Sequence, residues 1–448
     1  MTPRATWWVW MGNGRFEITC HYMRFLSAFC FASVLGFAAN TGKPAPVTFN
    51  KEVLPVLQAK CQGCHRPGEA APFSLQTYEQ ARPYAKAMRE AVLSKRMPPW
   101  FADPHVGGKF ANDWSLAEAD IKTLVAWADQ GAPEGKKSDA KPNPVFTNGW
   151  RIPEPDLVLE MPTPYEVPNK GTVEYTYYIL PTGLTEDKWV QLAEARPSAR
   201  AVVHHIIAFV REPGSKWLEN GPIREGFIPT KGGKGGPDGF LAGYAPGMLP
   251  TRLRPGQAML LKAGSDIVFQ MHYTTNGKPA TDKSKVGIVF AKEPVKQRVH
   301  MLQVQNGRFT IPAGATDYPV SASVTLGADV EILDLQPHMH VRGKSAMMKA
   351  VYPTGEEEKL LSIKWDFNWQ LAYEFAPGKI MPKGTRIEGL NTYDNSPNNK
   401  YNPDPTVEVK WGDQSWEEMM INFFRVAVDV NVKPGSLIQR PPPKPAAD

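Results

Sequence analysis

Of the four cysteines in these 448 residues, Cys20 and Cys30 lie in an N-terminal stretch that reads as a leader, and the other two stand together in Cys61-Gln62-Gly63-Cys64-His65. C-x-x-C-H is the attachment signature of c-type haem. Thiols three positions apart can form thioethers to the two vinyl groups of one haem, and the histidine that follows then lies under the iron. A zinc site or a redox pair is the competing use of C-x-x-C, but zinc needs four ligands and no second thiol pair exists. The surrounding residues, about 45–135, are therefore committed to a small all-α cytochrome c domain around one covalent haem.

Three helical stretches fit that shell. Thr48 to Lys60 carries Val53, Leu54, Val56 and Leu57 and leads into Cys61. A second runs from about Pro83 to Ser94. In the third, Ser115 and Glu118 read as a capping box, Ile121, Leu124, Val125 and Ala128 make one stripe, and Gly131 and Pro133 stop it. His65 is the proximal ligand. The sixth ligand should be Met97, in Arg96-Met97-Pro98-Pro99-Trp100, because a proline-stiffened loop can hold a thioether at the iron, and Met with His suits electron transfer. A packed core methionine is the plain alternative for Met97, and His105, in a Gly-rich turn, is the rival ligand.

Composition bounds the remainder. Pro at 43 and Gly at 37 of 448 residues suit loop-rich β structure over long helices. The formal charge of +6 falls to +4 when Arg4, Arg15, Arg24 and Glu17 leave with residues 1–38, and no basic stripe appears, so no nucleic acid is expected as partner. From Met23, Arg24 and the apolar run Phe25 to Phe37 read as a signal peptide cleaved after Ala38, with residues 1–22 an upstream segment. That run is short for a stable membrane span, and export to the periplasm or beyond agrees with haem attachment. Pro133 to Thr147 reads as a flexible tether (linker 136–150), and 431–448 as a tail whose Pro-rich end is disordered.

Five of the nine histidines fall in three tight runs: His204-His205, His272-Tyr273 and His338-Met339-His340. His21 lies in the leader, His65 belongs to the haem, and His105 and His300 read as ordinary structural residues. The runs sit on strands. Thr172 to Leu180 alternates Val173, Tyr175, Tyr177 and Ile179 against polar partners. In Asp266 to Thr274, Ile267, Phe269, Met271 and Tyr273 should face the core, leaving Gln270 and His272 on the other side. In Glu331 to Val341 the core parity is Leu333, Leu335, Met339 and Val341, so His338 and His340 share the opposite face with Asp334 and Gln336. Residues two apart on one strand face point the same way, so both imidazoles can bind one ion. Adjacent His204 and His205 point apart on a regular strand and share a metal only at a bulge or through different ring nitrogens. Imidazole sites without thiols suit copper or zinc. A thioether from Glu417-Glu418-Met419-Met420 tips the choice to copper.

Residues 152–430 resemble the ascorbate-dependent type II copper monooxygenases, the family of peptidylglycine α-hydroxylating monooxygenase and dopamine β-monooxygenase. The matching elements keep the family's order: Pro155-Asp156-Leu157 with Met161-Pro162, His204-His205, Ala245-Pro246-Gly247 and Leu253, Gln270-Met271-His272-Tyr273, His338-Met339-His340 with Gly343-Lys344, and Glu418-Met419. The resemblance implies two jelly-roll β-sandwich domains, 151–292 and 293–430, flanking a solvent cleft and carrying one copper each. It implies that His204, His205 and His272 hold an electron-supplying copper, and that His338, His340 and Met419 hold the copper that meets O2 and substrate. Met420 competes for the thioether, and strand parity does not decide between them. The departures are specific. The family's animal members are disulfide-rich, and no cysteine is spare here. Gln336 stands where the peptide-amidating enzyme anchors a carboxylate with Arg, and Ile421 and Phe423 replace its anchoring Asn and Tyr, so a C-terminal glycine peptide is an unsuitable substrate.

Together these features imply an exported multidomain monooxygenase that hydroxylates a C–H bond of a small organic substrate with O2. Its electrons come through the haem from an external cytochrome or an ascorbate-like reductant. A haem–copper electron carrier or a copper-handling protein without monooxygenase activity is the alternative.

Overall fold

The computed structural model describes residues 46–69, 71–146, 149–229 and 236–439. The proposed leader, its cleavage site and the end of the tail lie outside the described residues. From Pro46 onward the chain forms one compact unit, mostly β-sheet with a few helices near its start. Among the described residues no helix is long and apolar enough to cross a membrane.

The helices are Leu54–Lys60, entered through a π-turn at Phe49–Val53, then Tyr78–Ala81, Ala85–Leu93 and Glu118–Asp129. Phe49, Val53, Leu57, Leu75, Leu124 and Trp127 close a core of their own, and half-buried Cys61 packs against it. The expected capping box at Ser115 and Glu118 is not formed. The last helix begins at Glu118 with Ala117 as an uncapped N-cap, because Ser115 is drawn off by its amide bond to Asp113 Oδ1 at 2.7 Å. A reciprocal box forms instead at Thr77 and Gln80.

The β structure has two cores, each drawn from two sheets. The first lies between a five-stranded sheet holding Thr176–Pro181, Val203–Arg211 and Asp266–Tyr273 and one end of a nine-stranded sheet. The second lies between the other end of that sheet and the four-stranded sheet Tyr318–Thr325, Gly343–Val351, Glu357–Lys364 and Arg386–Tyr393. The nine-stranded sheet is continuous because Gln257–Leu261 pairs in parallel with Gln297–Gln305, the register being Gln297 with Gln257 and Arg298 with Ala258. One hydrogen-bonded sheet thus runs through both halves.

The helical part is not hung on residues 136–150 alone. Residues 100–114 form an arm laid on the second β half. Asp103 N–H donates to Ser362 O at 2.8 Å and Ala111 N–H to Glu374 O at 2.7 Å. Asn112 Nδ2 donates to Ala372 O at 2.7 Å and its Oδ1 accepts from Glu374 N–H at 3.0 Å. Trp100, Phe110 and Trp114 join the second core. Burying a large apolar side chain stabilises by roughly 1.5–3 kcal/mol, so these rings hold the arm firmly. The arm's partners lie some 260 residues downstream and leave no local trace in sequence.

Candidate metal and haem sites

Strand pairing explains the first histidine group. Asp266–Tyr273 pairs with Val203–Arg211 residue for residue as far as His272 opposite His205. There the register slips, and Tyr273 pairs with Val203, leaving His204 unpaired. That slip turns His204 to the side of its neighbour. The rings of His204, His205 and His272 have centroids 4.9–5.5 Å apart, and one nitrogen from each lies within 4.8 Å of the others. His204 Nδ1 and His205 Nδ1 stand 3.3 Å apart. Two nitrogens each about 2.0–2.1 Å from one tetrahedral ion are separated by about the same amount. His272 Nδ1 is buried with no hydrogen-bond partner, an orphan that a metal would satisfy. The residues fit a three-imidazole ion.

Tyr175 packs on this cluster, 4.6 Å from His272 and 5.6 Å from His205 between centroids, and Gln270 donates to the Tyr177 hydroxyl. The apolar face expected for Thr172 to Leu180 holds only in part: Val173 enters the core, but so do Tyr178 and Leu180, while Tyr175 packs on the histidines. The strand proper starts at Thr176 and is covered on both sides, so alternation does not set its facing. Ile267, Phe269, Met271 and Tyr273 do point into the core.

The second group lies on Val330–His338 and its extension. Leu335 and Met339 enter the core, but Leu333 does not join them and Val341 is only half-buried. A register shift between Ile332 and Asp334 exchanges the parity of the strand's first half. Gln336 stands opposite Phe423 and His338 opposite Ile421. Continued two places, that register sets Met419 across from His340, on the face of both imidazoles. Met420 points the other way, fully buried in the second core. The His338 and His340 rings are 5.3 Å apart. His338 Nδ1 donates to Gln370 Oε1 at 2.7 Å and His340 Nδ1 to Glu417 O at 3.2 Å. Both acceptors take hydrogen bonds only, so each ring carries its proton on Nδ1 and keeps the Nε2 lone pair for a ligand. Two neutral imidazoles beside a thioether fit a soft metal such as copper.

Sequence reasoning missed the group that ties this site together. Glu418 is fully buried and accepts from His340 N–H at 2.8 Å, Arg342 N–H at 2.7 Å and Met419 N–H at 3.2 Å. Burial pushes its carboxyl up to about 8, against those N–H groups and the nearby Arg342 guanidinium. Gln370 was missed as well. The acid stood beside Met419 in the sequence, but its work through backbone amides leaves no pattern.

Burial holds the histidines neutral: His204 falls to about 4, His272 and His340 to about 3, and His205 and His338 also fall. A charge on His338 would further oppose protonation of His204, and charges on His338 and His340 that of His205. Phe367, from the second half, stacks on His204 at 5.3 Å. A cavity of about 30 Å³ is lined by Trp100, Asn112, Trp114, Gln336, Leu371 and Glu374 among others, joining the arm to both halves, and none of the candidate ligands lines it. It has room for about one water.

At Cys61-Gln62-Gly63-Cys64-His65 both thiols are free. Burial pushes the Cys61 thiol up to about 12 and also raises Cys64. His65 Nδ1 donates to Phe73 O at 3.3 Å, which leaves Nε2 for an iron. Its ring lies 4.6 Å from Phe73, itself stacked on Tyr84. These residues fit a haem. Met97 is half-buried after Ala85–Leu93, its amide bonded to Ala91 O at 3.2 Å, and it is not among the side chains packed on the helical core. His105 is exposed within the docked arm. His300 is half-buried on Gln297–Gln305.

No protein-family model matches the chain, and no curated protein matches it. Among solved structures, it is similar to a chain from the structure of infectious bursal disease virus Gx strain at 9% identity, over 64% of this chain and 76% of that one, with a TM-score of 0.17. A chain from the Gt strain aligns at 10% identity over 64% and 77%, also with a TM-score of 0.17. Likenesses that slight carry no argument about this protein.

Proposed function

We propose that this chain is an exported haem- and copper-dependent monooxygenase that hydroxylates a C–H bond of a small organic substrate with O2. In this reading the helical part is a cytochrome c domain and the two β halves are jelly-roll copper domains of the type II copper monooxygenase family. The observation that carries it is the pairing of two imidazole groups across the two β halves, one offering three rings and the other two rings with Met419 on the same face. Copper at the two sites would supply O2 reduction and hydrogen abstraction, and the haem would supply electrons from an external cytochrome or ascorbate-like donor.

The chain's own residues have separable tasks. His204, His205 and His272 hold the electron-supplying ion, and the slip at His204 gives them one face. His338, His340 and Met419 hold the ion nearest the substrate. Gln370 and Glu417 O keep Nε2 of both rings aimed at it, and Glu418 fixes His340 and Met419 to each other. Gln336, on the His338 face, also lines the small cavity against the arm. Cys61, Cys64, His65 and Met97 would attach and hold the haem.

The test is composition and then turnover. Purified protein should carry one covalent haem and close to two coppers per chain. With reductant and a metabolite extract under isotopically labelled O2, mass spectrometry should find a product bearing one labelled oxygen. Labelled product absent, with copper leaving on reduction alone, would favour the copper-handling alternative. Zinc persisting in both sites after copper loading under reducing conditions would sink the copper reading.

A further inference from the structure

At the seam between the helical part and the first β half, three charged side chains are buried together. The side chains of Arg66, Glu69 and Arg200 are 9%, 8% and 9% exposed. Glu69 is shared: Arg66 Nη2 donates to its Oε1 at 2.9 Å, and Arg200 Nη1 forms an ion pair with its Oε2 at 3.2 Å. Arg66 lies over the Phe146 ring at 4.3 Å and Arg200 over the Tyr244 ring at 5.4 Å. Among the described residues Arg66 Nε and Arg200 Nη2 are buried without hydrogen-bond partners, and the Tyr244 ring and hydroxyl lie beside the Arg200 guanidinium.

The charges do not balance. Two guanidinium groups share one carboxylate, and the next carboxylate, Glu194, is already engaged by Arg151 at 3.3 Å and Arg196 at 3.1 Å. A buried cation in excess and unmet donors are both costly. The two guanidinium nitrogens can only donate, so the partner they lack is an acceptor; with one positive charge in excess an anion fits best, and a forked guanidinium pair suits a planar carboxylate.

We propose that Arg66, Arg200 and Tyr244 form a carboxylate seat at this seam, with Glu69 as the internal ligand that holds the two guanidinium groups together. This goes beyond the monooxygenase reading and does not depend on the copper sites. Two carboxylates are eligible. One is a propionate of the haem on Cys61 and Cys64, since Arg66 directly follows Cys64-His65 and is joined to Arg200 through Glu69. The other is a free small carboxylate from solution.

The experiment uses the purified full-length holoprotein with Arg200→Gln and Glu69→Gln, with acetate as probe against chloride at equal ionic strength. Thermal midpoint is one readout, and haem midpoint potential between pH 5 and 8 is the other. A free carboxylate as occupant means that acetate raises the wild-type thermal midpoint. Acetate affinity then rises about tenfold in Glu69→Gln, which frees two charged donors, and is lost in Arg200→Gln, with potential profiles unchanged. The haem's own propionate as occupant means no acetate effect in the wild type. A pH-dependent step in haem potential then appears in Arg200→Gln, while Glu69→Gln retains the wild-type profile. Equal destabilisation by both variants, with no acetate effect and identical potential profiles, overturns the seat and leaves a plain ion-pair bridge. Protein isolated without haem would count against the haem reading, and the acetate arm would still decide the seat.

Discussion

Removing the Glu418 carboxylate should unfasten the second metal site and weaken the fold by a calculable amount. In Glu418→Ala the amides of His340, Arg342 and Met419 lose their acceptor inside a fully buried region. Each orphaned donor costs about 1–3 kcal/mol. The three share one cavity that water can partly fill, so their costs do not simply add, and about 3–5 kcal/mol is expected in total. Measured by urea unfolding at pH 7, that is a fall in midpoint of roughly 1–2 M for a slope near 3 kcal/mol/M. Glu418→Gln keeps one acceptor oxygen and should fall between wild type and Ala. Copper titration should show the His338–His340 site weakened about tenfold or more in Glu418→Ala, with the three-histidine site unchanged. An unchanged urea midpoint together with full loading of both sites would refute the view that this acid ties His340 to Met419.

Three further outcomes follow from the same geometry. Gln370→Ala removes the acceptor for His338 Nδ1 at 2.7 Å and should weaken the second site about 10–100-fold, read by equilibrium dialysis; equal weakening of both sites would count against it. Metal-free protein should lose stability as pH falls. His204, His272 and His340 have folded values of about 4, 3 and 3 against an ordinary 6.5, so unfolding takes up protons below 6.5 and the loss grows until the folded values are reached. The urea midpoint should therefore be lower at pH 5 than at pH 7, and equal midpoints would contradict the neutral, buried histidines. Met419→Ile should abolish hydroxylation while keeping the haem and the three-histidine site. Met420→Ile, in the core, should cost less than about 1.5 kcal/mol and retain turnover; the reverse pattern of activities would transfer the ligand role to Met420.

The histidine facing of Asp266–Tyr273 was legible because its apolar partners alternate without interruption over Ile267, Phe269, Met271 and Tyr273. Where the ladder slips, the alternation misleads. The shift at Ile332–Asp334 exchanges core membership, and Tyr175 packs on the histidine cluster just before a strand that is covered on both sides. The condition under which His204 and His205 could share an ion was readable, but the slip that meets it arises from pairing with a strand some sixty residues away. Gln370, Glu418 and the arm were out of reach for the same reason. Each acts through a contact whose partner lies far along the chain, and no local propensity encodes it.

The docked arm also sets an order of assembly. Asn112 leaves the ribosome 260 residues before Ala372, its acceptor. At roughly 5–20 residues per second, that is roughly 13–50 s of synthesis. The helical core has all its members early, but the second core, which Trp100, Phe110 and Trp114 join, is complete only when the last third of the chain exists. The arm is thus the last piece to seat, and a chain truncated before Ser362 would carry a folded helical head with three bare aromatic rings. Such an exposed patch invites association between copies, so the helical head cannot be cut away at its apparent boundary and handled as an independent module.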